Sequence, residues 1–183
     1  DGVTHVQVCD PVSWEVLDDL DEAWIHPKEF FMTSQERFEQ ALESIEDELQ
    51  LRLTEFDMQN KLIERHRLEQ RTQYDLEMLR EIGHCQAIEN YSLHFDGREP
   101  GERPYCLLDF FAACARQFHG DPKKFLVIMD ESHVTLPQVG GMYFGDKSRK
   151  DSLIEHGFRL PTAADNRPLK MPEFQHLVPQ MVY

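Results

Sequence analysis

Basic residues are scarce in this chain: 19 lysines and arginines stand against 34 aspartates and glutamates, a net charge of −15 over 183 residues. The deficit is uneven. Residues 1–50 hold 14 acids and 2 bases, whereas residues 51–183 hold 20 and 17. So acidic a leading segment repels a phosphate backbone. It suits a basic protein surface, or serves only as a solvated face. Cysteine is sparse too. Cys9, Cys85, Cys106 and Cys114 form no C-x-x-C pair, which argues for reduced thiols over a disulfide framework, and the histidines do not join them at zinc-ligand spacing. No apolar run approaches the roughly 20 residues of a membrane helix. The opening Asp1-Gly2-Val3-Thr4-His5 lacks the basic and apolar regions of a signal peptide, so the expected setting is cytoplasmic, without membrane contact. A first residue other than methionine suggests an excised segment. Also missing are any G-x-S-x-G or Cys–His nucleophile arrangement, any internal repeat, and the G-x-x-x-x-G-K-[ST] loop that cradles phosphates.

Punctuation and periodicity outline what is present. Val3, Val6 and Val8 suit a strand and Asp10-Pro11 a turn; Trp14–Leu17 and Ala23–His26 are further strand candidates. Thr33, with Glu36 three residues on, reads as a capping box. Phe38, Leu42, Ile45, Leu49, Leu53 and Phe56 then recur at spacings of three and four, one apolar stripe of a helix over about 34–57. A second helix is expected from Lys61 to Ile82, closed by Gly83, giving an αα-hairpin or one bent arm. Its Arg65, Arg67 and Arg71 lie among Glu64, Glu69 and Asp75, a pattern of intrahelical pairing more than of nucleic-acid contact. Residues 83–104 read as irregular and Tyr105–His119 as a short helix. Phe125–Met129 reads as a buried, central, parallel strand because polar alternation is lacking. Loop is expected after Asp130, then a helix near Lys147–His156, an irregular Gly157–Arg167 and a terminal strand Met181–Tyr183.

The strand Phe125–Met129 runs directly into Asp130-Glu131-Ser132-His133. Nucleoside-triphosphate motors end an apolar strand in two acids for a chemical reason. The first orders the hydration shell of magnesium, and the second polarises or orients the attacking water. Here that pair comes with no phosphate-cradling loop in the same 183 residues.

Four blocks make the pair more specific: Leu68 to Met78, Ile88-Glu89-Asn90-Tyr91-Ser92, Asp130 through Asp146, and Gly157-Phe158-Arg159-Leu160-Pro161 through Leu169. In this order they resemble the UvrB family of bacterial nucleotide excision repair, over about Asp10 to Tyr183. The resemblance implies an α/β fold: a fragment of a P-loop NTPase lobe of the superfamily 2 helicase-like type, with a long helical arm and a small α+β inserted-domain remnant. Residues 1–32 would be the remnant of the inserted, UvrA-docking domain, 33–104 the helical arm and its connection, and 105–183 part of the first motor lobe. It implies ATP and Mg2+ as cofactors of the parent protein, neither held tightly by this chain alone, with the phosphate loop upstream and the second lobe downstream. UvrA, UvrC and damaged DNA are the implied partners. Asp130 matches the magnesium-associated acid, Glu131 the water-activating acid and His133 a position coupling nucleotide to DNA. Gly140 to Tyr143 and Asp146 match the DNA-facing part of the lobe.

The chain departs from the family at Leu93, at Phe144 and at Ala87, and Phe111–Lys124 is several residues longer than usual. DNA-contact candidates are Tyr91, Tyr143, Lys147 and Arg149, with Phe144 and Lys150 beside them. Trp14 and Trp24 are partner-interface candidates, and core packing competes with contact for each aromatic. Two functional expectations therefore stand together: part of an ATP-dependent repair enzyme, or a module that only docks a protein partner such as UvrA.

Overall fold

A computed structural model describes residues 5–23 and 34–183. The chain divides into two compact units, Asp1–Thr33 and Ser34–Tyr183. In the first, β1 (Val6–Cys9) pairs antiparallel with β2 (Val16–Leu20). The Asp10 carboxylate organises the turn by accepting from the amides of Val12 and Ser13. Strand structure begins at Val16 rather than at Trp14, because Trp14 sits in a left-handed conformation (φ 61°) inside the turn and donates its amide to the Asp10 carbonyl. Ala23 carries no strand structure. Val3 and residues 24–26 lie outside the described residues, as does Trp24.

The second unit is built on a helical hairpin. Its first helix, α1 (Gln35–Met58), is capped one residue later than expected: Ser34 accepts from the Arg37 amide, and Thr33 lies outside the described residues. The expected stripe is the packed face. Leu42, Ile45, Leu49, Leu53 and Phe56 are buried and Phe38 packs partly against them. At about 1.5–3 kcal/mol for each large side chain fully removed from water, this face carries most of the helix's stability.

Gln59 to Lys61 reverse the chain, with Asn60 left-handed, and α2 (Leu62–Ile82) returns along α1, ending at a left-handed Gly83. Arg65 at the start of α2 pairs with Asp57 at the end of α1, while Arg80 reaches back to Glu46. These ion pairs settle the choice between hairpin and bent arm in favour of an antiparallel hairpin.

The stretch expected to be irregular contains a 3-10 turn, Ile88–Tyr91, and a short helix α3 (Ser92–Asp96). Both are held because Ile88, Tyr91 and Phe95 enter the hairpin core. Next comes α4 (Leu107–His119), stopped by left-handed Gly120. The strand expected over Phe125–Met129 shortens to β3 (Val127–Ile128), parallel to β4 (Met181–Val182). It is parallel as expected, but neither central nor buried. The described sheet has two strands, and Ile128 is 74 % exposed.

After Asp130 the structure has a helix where loop was expected: α5 runs unbroken over Ser132–Glu155. Pro137 lies inside it, removing one donor, and Gly140, Gly141 and Gly145 weaken it further. These four residues are why the sequence reads as loop. The helix is anchored from its far end, where buried Lys150 donates to the Asn166 carbonyl and pairs with Asp146. A second 3-10 turn, Pro161–Asp165, and a helix α6 (Met171–Leu177) complete the unit.

Candidate functional site

Asp130 and Glu131 stand together at the end of β3. The Val127 and Met129 amides donate to the carbonyls of Gln180, just before β4, and of Val182 in β4, which fixes the strand's direction. The Asp130 Oδ1 atom accepts the Glu131 amide at 2.9 Å, and the Thr135 hydroxyl donates to the Asp130 carbonyl at 3.2 Å. Glu131 caps α5 in a left-handed conformation, φ 49° and ψ 45°, which costs a residue with a side chain about 1–3 kcal/mol. Its Oε2 lies 3.4 Å from His133 Nδ1, with both side chains more than 70 % exposed. Pro137 has no amide to give the carbonyl four residues before it, that of His133.

The pair suits a hard cation. One Asp130 oxygen is committed to the Glu131 amide and the other is not, and both side chains offer the carboxylate oxygens that magnesium prefers. Among the described residues no group of three or more His, Cys, Asp and Glu side chains could hold a metal. A magnesium ion here would therefore rest on one or two carboxylates, keeping waters and phosphate oxygens as its other ligands.

The remaining candidates scatter. Tyr91 is 5 % exposed and donates its hydroxyl to Asp75 Oδ2 at 2.8 Å. Burial first, then the Asp75 charge, pushes its phenol far above the ordinary value. It is a core residue and presents no face to a base, so it leaves the set of DNA-contact candidates. Tyr143 is half-buried, with Arg167 and Lys170 over its ring at 5.5 and 5.0 Å and Phe144 edge-on at 5.4 Å. The glycine-rich stretch that carries it is helix, not loop. Lys147 pairs with Asp151 and Arg149 with Asp146, so the basic cluster is largely compensated. Trp14 is 79 % exposed in its hairpin turn.

A different set of residues does converge. Arg67, Gln70, Arg71 and Tyr74 on α2 form one wall of an open cleft of about 540 Å³, and Phe158 and Arg159 form the other. Arg67 donates to the His156 carbonyl at 2.7 Å and lies 4.2 Å over the Phe158 ring. Arg71 is held by Asp75 and the Gln86 carbonyl. Among the described residues neither Arg67 nor Arg159 is paired with a carboxylate. Two uncompensated guanidiniums beside an exposed tyrosine and phenylalanine can grip phosphate and stack on bases.

Gly157 lets the walls approach. Its φ is +71°, and a Cβ there would fall 2.3 Å from the Glu64 carbonyl oxygen. Intrahelical pairing holds for Arg65 with Glu69 and for Arg71 with Asp75, but reading all three arginines that way missed Arg67. The legible signal was Arg67, Arg71 and Tyr74 at i, i+4 and i+7, one helix face.

Comparison with known proteins covers both features. Residues 36–97, which include the cleft's α2 wall, match the UvrB third helical domain. The whole chain is similar to UvrABC system protein B of several organisms. It is 50 % identical over 182 residues to that of Chlorobium phaeobacteroides (strain BS1), covering 100 % of this chain and 25 % of the relative. It is 53 % identical over 180 residues to that of Chlorobium limicola, covering 98 % and 25 %. It is 51 % identical over 183 residues to that of Symbiobacterium thermophilum, covering 100 % and 26 %. The chain thus spans about a quarter of the length of the curated relatives it matches. A named domain, matched in place, and unbroken similarity on both sides of it show that the chain belongs to the UvrB family.

Proposed function

We propose that this chain is a working segment of an excision-repair protein that uses ATP to verify damaged DNA with UvrA and passes it to UvrC. The observation that carries the reading is the cleft between α2 and Phe158-Arg159. It places uncompensated guanidiniums and exposed aromatic rings in the same folded unit as the acid pair. In this reading β3, β4 and α5 belong to a P-loop NTPase lobe of the helicase-like type, whose remaining strands cover Ile128. Residues 1–32 come from the UvrA-docking domain, 33–104 form the arm, and the setting is the cytoplasm.

Asp130, with Glu131 beside it, would hold magnesium, which would supply charge neutralisation for the triphosphate. The chain's own residues do the rest. Glu131 orients the attacking water and takes up its proton. His133 stands 3.4 Å from that carboxylate and carries its state to the first turn of α5. On the DNA side, Arg67 and Arg159 take phosphates, Phe158 and Tyr74 take base faces, and Tyr143, Lys147 and Arg149 extend the contact along α5.

Binding of a labelled single-stranded oligothymidine, titrated against salt, tests the cleft. Arg159→Ala should lower the slope of log K against log salt by about 0.7, the share of one phosphate contact on a single strand. An unchanged slope rejects the cleft as the DNA site.

A second reading has its own observation. Val12, Trp14 and Leu17 of the hairpin are each more than 60 % exposed among acidic neighbours, which suits docking on a basic protein surface. If Trp14→Ala leaves the affinity for UvrA unchanged, that reading loses its anchor.

A further inference from the structure

Glu48 of α1 is a hub. Its Oε1 accepts the Thr162 amide at 2.9 Å, and its Oε2 accepts the Thr162 hydroxyl at 2.7 Å. The same Oε2 faces His94 Nε2 of α3 at 2.9 Å, and His94 Nδ1 faces the Ser44 hydroxyl at 2.9 Å. Side-chain exposure is 4 % for His94 and 15 % for Glu48. With the imidazole proton on Nε2, every polar group in the cluster has a partner: Ser44 donates to Nδ1, while Nε2–H, the Thr162 hydroxyl and the Thr162 amide all donate to Glu48. So complete a set joins three elements distant in sequence: α1, α3 and the 3-10 turn Pro161–Asp165.

That turn is continuous with the second wall of the cleft. Phe158 and Arg159 are followed by Leu160, which is 2 % exposed in the hairpin core, and then by Pro161 and Thr162. The wall is therefore fixed at two points. On its N-terminal side, Gly157 lies against the Glu64 backbone and Arg67 holds the His156 carbonyl. On its C-terminal side, Thr162 is tied to Glu48.

We propose that Glu48 and His94 are positioning residues of the nucleic-acid cleft, which hold Thr162 so that Phe158 and Arg159 face Arg67, Arg71 and Tyr74. The inference rests on the DNA reading of that cleft and adds to it the device that sets its width. Neither residue touches the ligand. Their role is to keep Arg159 where its guanidinium shares a backbone with the α2 arginines.

The test is oligothymidine affinity as a function of salt for the wild-type chain and for Arg159→Ala, Glu48→Ala and Glu48→Gln, with amide hydrogen exchange at Thr162. Glu48→Ala should raise Kd about tenfold, lower the salt slope by about 0.7 as Arg159→Ala does, and speed exchange at Thr162. Glu48→Gln should restore most of the slope. Its amide oxygen still accepts from Thr162, and its amide nitrogen can donate to His94 in the other tautomer, with Nδ1–H turned to Ser44. Thr162→Val loses the hydroxyl donor but keeps the amide. It serves if Glu48→Ala does not fold, and should show a smaller change in the same direction.

The outcomes separate. Should the wild type fail to bind, or Arg159→Ala leave the slope unchanged, the DNA reading falls and the positioning role with it. Should Arg159→Ala lower the slope while Glu48→Ala and Thr162→Val lower only thermal stability, the cleft stands and the positioning role is overturned.

Discussion

Replacing Gly157 by alanine should open the cleft. The residue ends α5 with a Schellman pair of bonds: the Gly157 amide donates to the Ile154 carbonyl and the Phe158 amide to that of Leu153. Two penalties follow from adding a Cβ. The left-handed φ of +71° costs a residue with a side chain about 1–2 kcal/mol. The Cβ would also meet Glu64 backbone oxygen at 2.3 Å, where ordinary contact begins at 3.4 Å. Backbone cannot rotate aside as a side chain can, so the wall must retreat by about 1 Å. That strains the 2.7 Å bond from Arg67 to the His156 carbonyl, and a hydrogen bond from a charged donor contributes about 1.5–3 kcal/mol.

The expected loss is about 3–4 kcal/mol by urea denaturation. Gly83→Ala is the matched control. It has nearly the same φ, +72°, with nothing within 4 Å of its Cβ, so only the conformational penalty applies. Equal losses for the two variants would refute the argument from close approach.

Two further stability predictions rest on the interior. Tyr91→Phe removes the donor to buried Asp75, whose Oδ1 already lacks a partner; it should cost about 1–3 kcal/mol, and an unchanged urea midpoint would contradict the pairing. Glu173 is held down from 4.5 to about 2 chiefly by its hydrogen bonds from Arg167. A depressed carboxylate stabilises the fold above its unfolded value and loses that contribution as pH falls from about 4.5 toward 2. At ~1.4 kcal/mol per unit the ceiling is ~3 kcal/mol, reduced to ~1–2 kcal/mol by screening at this partly exposed pair. Glu173→Gln should therefore be less stable than wild type at neutral pH and converge with it near pH 2, as read by denaturation across pH; a gap that persists at pH 2 would contradict the assignment.

The legible parts of this chain were those where one residue pattern decides one element. The stripe from Phe38 to Phe56 has a single amphipathic solution, and Gly83 stops α2 where the chain must turn left-handed. What misled was local signal overruled from a distance. Pro137 and three glycines argue against a helix, yet α5 persists because buried Lys150 is tied to the Asn166 carbonyl beyond the helix. The apolar run Phe125–Met129 looks like the centre of a sheet, but its described partner is a single strand over fifty residues on. For the site, adjacency in sequence exposed Asp130 and Glu131 at once. The cleft stayed hidden because Arg67 meets His156 across 89 positions, a distance no local pattern spans. Tyr91, for which core packing competed with stacking, proved to be a buried donor.

The most direct measurement is DNA-stimulated ATP turnover of the complete protein carrying Glu131→Gln, with nucleotide binding measured in parallel. If Glu131 orients and deprotonates the attacking water, turnover should fall by about 10²–10⁴-fold while nucleotide binding persists. Turnover near the wild-type rate would contradict the assignment of the acid pair at the end of β3, and with it the ATP-dependent reading of this segment.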